Sequence, residues 1–413
     1  VADLPDTRLW LIDKKTSYRV VGELIGETGE GYFFARPPAD YPNVWRGKLE
    51  GPRAKDRVNL LVSMLRAAVQ LETPSARLEG NHNELLGAAI REAYVQMERE
   101  ATRQVEGLDV RRVQATRRRV PRLTDVVQLL GRLCAFKNLP PTLAEELTTW
   151  LAPFMGEGRH AGMFDQEAYE VDGERPAQAQ VYDLDAVAAD PVVGPLTTLV
   201  CVSEVVRQAT SPDFAGNEGV LLLEEAGMLL KDNEALSRFV EDAWATFRKL
   251  DVACIGVTNA VNHYRTSRGC NAIWCHSPTK VVLPLGDTDR QQVGQGVPDK
   301  GVGPLISDAE IVDLIGSLRT KKGRFSQGLW LMEGGPDGPC NGTFTYEPTG
   351  CDYWCAASRP VEVETVHAVR DRLGSIEAAV RWLAEHYPWG VTNALGKACV
   401  LPEEQLPPAR GEA

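Results

Sequence analysis

Two glutamates in succession close an apolar run, Val220-Leu-Leu-Leu-Glu224-Glu225, and no other stretch of the 413-residue sequence has so definite a chemical meaning. Four hydrophobic residues in a row suit a strand buried on both faces. Such a strand delivers whatever follows it to the C-terminal edge of a parallel sheet. Two carboxylates delivered there can divide the work of phosphoanhydride hydrolysis: Glu224 would hold Mg2+, usually through water, and Glu225 would orient or activate the attacking water. The plainer reading is a strand that ends in a solvated acidic turn.

Other residues fall at matching places. Thr258-Asn259 closes the apolar run that begins at Val252; a polar pair at such an edge can sense a γ-phosphate or the attacking water, or can simply cap a helix. Asp13 ends Leu9-Trp-Leu-Ile-Asp13 in the same way and joins Thr258 and Glu224 as a candidate nucleotide-site residue. Arg248, in Phe247-Arg-Lys249, closes the helix between the two later strands, and Arg319 and Arg324 belong to the basic cluster Ser317–Arg324. Any of the three could supply positive charge to a phosphoryl-transfer transition state across a subunit boundary. Their ordinary readings are a favourable cation at a helix C-terminus and a solvated surface turn.

The whole chain limits what these residues can be part of. Its 413 residues suit a large α/β domain with an inserted or appended lobe. The net charge of −12 argues against a dedicated binder of phosphate backbones. The candidate for DNA contact is Arg111–Arg122, with six arginines, whose plainer reading is a solvated or partner-docking surface. The nine cysteines lack paired CxxC spacing, so reduced thiols are expected rather than a metal site. No apolar run approaches the roughly 20 residues that span a bilayer, and no signal segment opens the chain. No GxxxxGK[ST] occurs in the sequence. Such a loop normally precedes a strand like 9–13 by one helix. The sequence opens at Val1, where that helix would end, so a fragment boundary there is expected.

The elements that must position these residues follow from periodicity. Strands are expected at 9–13, 180–184, 220–224, 252–258 and 280–285, and a hairpin from the runs 328–333 and 342–346. A helix begins near Asn81 or Asn83. Others run from Asp125 to about Lys137, capped by Thr124, from 141 or 142 to Phe154, and from about Asn233 to Leu250. The expected organisation is a first core segment (1–110), a mostly helical insert (111–175), a second core segment (176–350) and a C-terminal helical segment and tail (351–413). The tail beyond Pro402 is expected to fray. Buried strands alternating with helices specify an α/β fold with a mostly parallel sheet covered on both faces.

Leu221-Leu-Leu-Glu-Glu-Ala-Gly227 is similar to a Walker B element, with Glu224 where the usual pattern has Asp. In order along the chain, Leu11–Tyr18, Pro121–Asp125, Gly158–Asp165, Val181–Leu184, Arg248-Lys249, Thr258-Asn259 and Ile315–Ser326 resemble the motifs of the C-terminal domain of the large type IV secretion ATPases, the VirB/TraC-type conjugation motors. The family usually has Gln where Asn259 stands. The match runs from about 9 to about 385. It implies a RecA-like (P-loop NTPase) core with an inserted all-α lobe, ATP and Mg2+ as cofactors, a homo-hexamer, and a cytoplasmic position peripheral to the inner membrane beside other secretion components. It implies ATP hydrolysis driving pilus assembly or substrate transfer; lacking the phosphate-binding loop, this chain is expected to be inactive by itself. An FtsK/HerA-like DNA translocase and a non-catalytic scaffold subunit are the alternatives.

Overall fold

A computed structural model describes residues 7–409, apart from 15–16, 29–30, 36, 38–39, 48, 50–53, 107–116, 172–176, 212–213, 231–233, 297–302, 322–323 and 336–337. The chain opens with β1 (Thr7–Asp13), α1 (Arg19–Thr28) and β2 (Tyr32–Ala35), then the long helices α2 (Ala54–Glu72) and α3 (Gly80–Glu106). Next come β3 (Arg117–Arg119), α4 (Leu123–Phe136), α5 (Pro141–Leu151), α6 (Ala161–Phe164) and β4 (Tyr169–Val171). The core resumes with β5 (Ala179–Asp183), α7 (Val193–Thr210), β6 (Glu218–Leu223), α8 (Ala226–Leu229), α9 (Glu234–Phe247) and β7 (Val252–Gly256). Then follow α10 (His263–Thr266), α11 (Arg268–His276), β8 (Thr279–Val282), α12 (Asp287–Gln295), α13 (Ala309–Ser317), β9 (Thr320–Lys321), β10 (Phe325–Gly335) and β11 (Gly338–Tyr346). Helices α14 (Gly350–Cys355), α15 (Pro360–Leu373) and α16 (Ile376–His386) finish the fold.

The main sheet is five-stranded and parallel, in the order β2-β5-β1-β6-β7. Alternate side chains of β1 enter two separate cores. Trp10 and Ile12 face α2, α7 and α9, while Leu9 and Leu11 join Val181, Val220 and Ile25 on the face covered by α1. The sheet is therefore buried on both sides, and so its strands read as continuous apolar runs. From β1 the chain turns one way, through α1, to β2. From β6 it turns the other way, through α9, to β7. The helices of those two connections lie on opposite faces. Between β1 and β6 is thus a topological switch point, the place where open α/β sheets form a crevice at their carboxyl ends.

Several expectations change. Residues 279–282 do not extend the parallel sheet. They pair antiparallel with β10, whose other neighbours are β11 and β9. The alternation there is inverted, for Lys280 is buried over the Trp274 ring and paired with Glu333 at 2.5 Å while Val281 and Leu283 face outward. β7 is an edge strand, which leaves Ile255 45% exposed. Helix α3 already runs from Gly80, which puts Asn81 and Asn83 inside its first turn. At α4 the N-cap is Arg122, and Asp125 closes the capping box by accepting from the Arg122 amide at 2.8 Å, whereas Thr124 donates its amide and hydroxyl to Asp165, each at 2.7 Å. An acid at the third helical position reaches back to the cap amide, and Thr124, one turn position early, cannot.

The helices of the insert stack on α3, which the sequence placed with the first core segment, and their core is continuous with that of the sheet. The C-terminal helices form a separate apolar cluster around Trp354, Val366, Val369, Val380 and Leu383, seated on Val20 and Leu24 of α1. Glu27 accepts from the Ile376 amide at 2.7 Å at the start of α16, and Glu23 meets His367 at 2.8 Å. The tail does not fray at Pro402. Leu401 and Leu406 return to this cluster, and the Leu401 amide donates to Thr365 at 3.2 Å. No helix among the described residues is long and apolar enough to cross a membrane.

Candidate functional site

The strands deliver their polar ends to one edge. Ile12 lies opposite Leu223 in the β1–β6 register, and the Glu224 amide donates to the Ile12 carbonyl at 2.9 Å, so Glu224 emerges beside Asp13. Asp13 is in register with Asp183 of β5. On the other side the Val257 amide donates to Leu223 at 3.0 Å and the Ala226 amide to Val257 at 2.8 Å. These bonds bracket Glu225, which adopts a left-handed backbone (φ 52, ψ 34) and is 8% exposed. For a residue with a Cβ that conformation costs on the order of 1–3 kcal/mol and persists where neighbours over-determine it. Here the next amide is fixed to β7, and Asn259 Nδ2 donates to Glu225 Oε1 at 3.1 Å.

Glu224 is half-buried, and its Oε2 accepts from the Tyr18 hydroxyl at 2.9 Å. Burial, and then the negative charges of Glu224 and Asp13, push the Tyr18 phenol well above its ordinary value. Asp13 is fully buried, and its Oδ2 accepts from the amides of Ser17 and, at 3.2 Å, Tyr18. The Asp13 carboxylate is therefore directed at the turn that starts α1. Thr258 is bonded to His263 Nδ1 at 3.2 Å. Gly227 makes room for that pair, because a Cβ there would stand 2.5 Å from Thr258 Oγ1 and closer still to the His263 ring.

The edge thus brings together Asp13, Glu224, Glu225, Thr258 and Asn259. It does not include the three arginines. Arg248 is exposed on the turn after α9, just ahead of β7, which is the opposite end of the sheet. The Arg319 guanidinium donates to the carbonyls of Gly316 and Leu318, both at 2.9 Å, at the end of α13. Arg324 is exposed in the β9–β10 turn, where its amide donates to Lys321 at 2.9 Å; Lys322 and Gly323 of that basic cluster lie outside the described residues. In the other basic run, Arg118 pairs with Glu98 at 2.7 Å and Arg119 with Asp125 at 2.8 Å, while Arg111 and Arg112 lie outside the described residues.

Tyr18, His263 and Asp183 belong to the edge but were not singled out by sequence. Asp183 ends a strand as Asp13 does, and that could have marked it; its Oδ1 accepts from the Asp185 amide at 3.0 Å. Nothing in local spacing connects Tyr18 with Glu224, which are 206 residues apart.

The donor set at this edge is carboxylate and amide oxygen, which suits Mg2+. Among the described residues no three His, Cys, Asp or Glu converge as a metal cage. Mg2+ keeps several waters and takes one or two carboxylates together with phosphate oxygens. Glu224, at the switch point between β1 and β6, is the residue here that would hold it.

No protein-family model matches the chain, and no curated protein matches its sequence. Among solved structures, VirB4 of Thermoanaerobacter pseudethanolicus aligns over 83% of this chain and 82% of its own, at 17% identity and a TM-score of 0.51. The plasmid coupling protein TrwB in complex with the non-hydrolysable GTP analogue GDPNP aligns over 84% and 86%, at 12% identity and a TM-score of 0.40. The likeness to VirB4 is one of fold, and it falls on the family whose ordered motifs the sequence resembles. The chain therefore has an α/β, RecA-like fold, with a parallel sheet covered on both faces and helices inserted between β2 and β5.

Proposed function

We propose that this chain is part of the motor ATPase of a type IV secretion or conjugation system, which hydrolyses ATP to drive pilus assembly or the transfer of DNA or protein. The observation that carries the reading is the acidic pair Glu224-Glu225 at the β1–β6 switch point, with Asn259 on the second acid. In this reading Glu224 holds Mg2+, which supplies charge neutralisation at the phosphates. Glu225, fixed in position by its backbone and by Asn259, orients the attacking water and receives its proton. Asn259 and Thr258 sense the state of the γ-phosphate from the next strand. Asp13 acts indirectly by shaping the turn behind Tyr18. The fold likeness to VirB4 supports this reading, as does the ion pairing of Arg118 and Arg119, which leaves the acidic edge a stronger candidate than the basic run.

The working unit in this reading is a homo-hexamer at the cytoplasmic face of the inner membrane, with each site completed by a neighbour's arginine. Arg248 leads Arg319 and Arg324, since it projects from the end of the sheet opposite its own carboxylates. The test is subunit mixing in a form of the protein that carries a GxxxxGK[ST] loop upstream of Val1. Arg248→Ala and Glu225→Gln should each be inactive, with the arginine loss costing about 10³–10⁵ in rate. Mixed, they should regain activity at interfaces that combine an intact Arg248 with an intact Glu225. Assembled mixtures that stay inactive for all three arginines would refute the shared site.

A further inference from the structure

Tyr18 touches Glu224, and the contact is built from both sides. Its backbone amide is held by Asp13 Oδ2 at 3.2 Å, and Asp13 is fully buried. Its ring lies half-buried in the apolar cluster of Leu9, Leu11 and Ile25, together with Val220 and Leu222 of the strand that carries Glu224. The hydroxyl at the end of that ring donates to Glu224 Oε2 at 2.9 Å. A tyrosine places its hydroxyl with two torsions, and these are restrained by the anchors at its backbone and ring. A glutamate needs three torsions to place its carboxylate, one more than aspartate, and each free torsion must be ordered before the group can serve.

The sequence departs from the usual acidic-strand pattern at this very point, with Glu224 in the place of an aspartate. We propose that Tyr18 is a positioning residue for the divalent-cation site: its hydroxyl fixes the head of the longer Glu224 side chain, so that a glutamate can do what the shorter acid does unaided. The inference rests on the reading of Glu224 as the Mg2+ residue. In this arrangement Tyr18 is the donor and Glu224 the acceptor. A single donated bond takes one of the roughly four lone-pair sites of a carboxylate, so the contact does not compete with a cation or its waters. Outer partners of this kind orient ligating carboxylates in metal sites, and losing one typically costs about 10–100-fold in affinity.

A merely structural contact would tie the start of α1 to β6 and do nothing else. Removal of the hydroxyl would then lower thermal stability and leave cation binding alone. The two roles separate in a titration of the 413-residue chain with Mn2+ by electron paramagnetic resonance, where the free ion is read directly. Wild type is compared with Tyr18→Phe, Glu224→Asp, the double variant and Glu224→Gln, and melting temperatures are taken on the same samples. Glu224→Gln should remove the site. Tyr18→Phe should weaken Mn2+ binding about tenfold, the low end for an outer partner. Glu224→Asp draws the carboxylate back by about 1.5 Å, one carbon–carbon bond, and takes it out of reach of the hydroxyl. In that background Tyr18→Phe should change the affinity by no more than about twofold, the scatter of uncoupled sites. If Glu224→Gln removes the site but Tyr18→Phe leaves it unchanged or tightens it, the positioning role is refuted and the reading of Glu224 stands. An equal loss from Tyr18→Phe in the wild-type and Glu224→Asp backgrounds refutes it too. If the wild-type chain shows no Mn2+ binding, or Glu224→Gln binds Mn2+ as wild type does, the reading of Glu224 fails and the role of Tyr18 falls with it.

Discussion

Gly227→Ala should disturb the acidic edge without touching a single carboxylate. Gly227 lies in α8, and its missing side chain is what lets His263 and Thr258 close over the elbow after Glu225. A Cβ would stand 2.5 Å from Thr258 Oγ1, with the His263 ring nearer still, where real Cβ atoms keep at least 3.0 Å. The ring must therefore withdraw by about an ångström, and the Thr258–His263 bond at 3.2 Å goes with it. Overpacking of this kind costs about 1–3 kcal/mol, and the better helix propensity of alanine returns up to about 1 kcal/mol. The net, about 1–2 kcal/mol, is a 5–30-fold change in a local opening equilibrium. Hydrogen exchange read by mass spectrometry should show that loss of protection in the peptides covering 222–230 and 256–266, and much less elsewhere. Adding His263→Ala removes the larger obstacle, so most of the lost protection attributed to Gly227→Ala should vanish in that background. Unchanged exchange in Gly227→Ala, or an equal cost with and without the His263 ring, would refute the steric account.

Two further outcomes follow. Glu27→Ala removes the carboxylate that accepts from the Ile376 amide at the start of α16; loss of such a cap costs about 1 kcal/mol and should show as faster exchange over 374–386, with α9 unaffected. Calorimetry of the 413-residue chain with ATP should show weak binding or none, because the sequence holds no GxxxxGK[ST] to cradle phosphates; micromolar affinity would contradict it.

How much of this was legible in sequence depended on the distance over which each feature is encoded. β1, β5, β6 and β7 were readable as short, largely apolar runs that end in, or within two residues of, a polar group at one edge of the sheet. β2 was not, since Tyr32–Ala35 is four residues long and carries no acid at its end. The run at 280–285 read as one more parallel strand because composition does not say which sheet a strand joins, and there the lysine points in and the valine out. The acidic pair, Thr258 and Asn259 were visible as strand ends. Their partners were not. Tyr18 meets Glu224 only because β1 and β6 lie side by side, and His263 meets Thr258 only because Gly227 clears the space. The capping box closed by Asp125 rather than Thr124 shows the limit of reading single residues, for which of two adjacent polar groups bonds the helix end depends on Asp165, about forty residues on.

The central claim is that the edge beside β1 and β6 hydrolyses a nucleotide through Glu225. It is tested most directly by single-turnover ATP hydrolysis with Glu225→Gln, in a form of the protein given a GxxxxGK[ST] loop ahead of β1. The substitution keeps the shape and the approach to Asn259 and removes the charge. ATP affinity should stay within a few-fold of wild type, while the hydrolysis rate falls by about 10²–10⁴, the usual contribution of a positioned acid or base. Hydrolysis that survives within a few-fold, with binding intact, would contradict the account and leave Glu225 as the strained end of a structural strand.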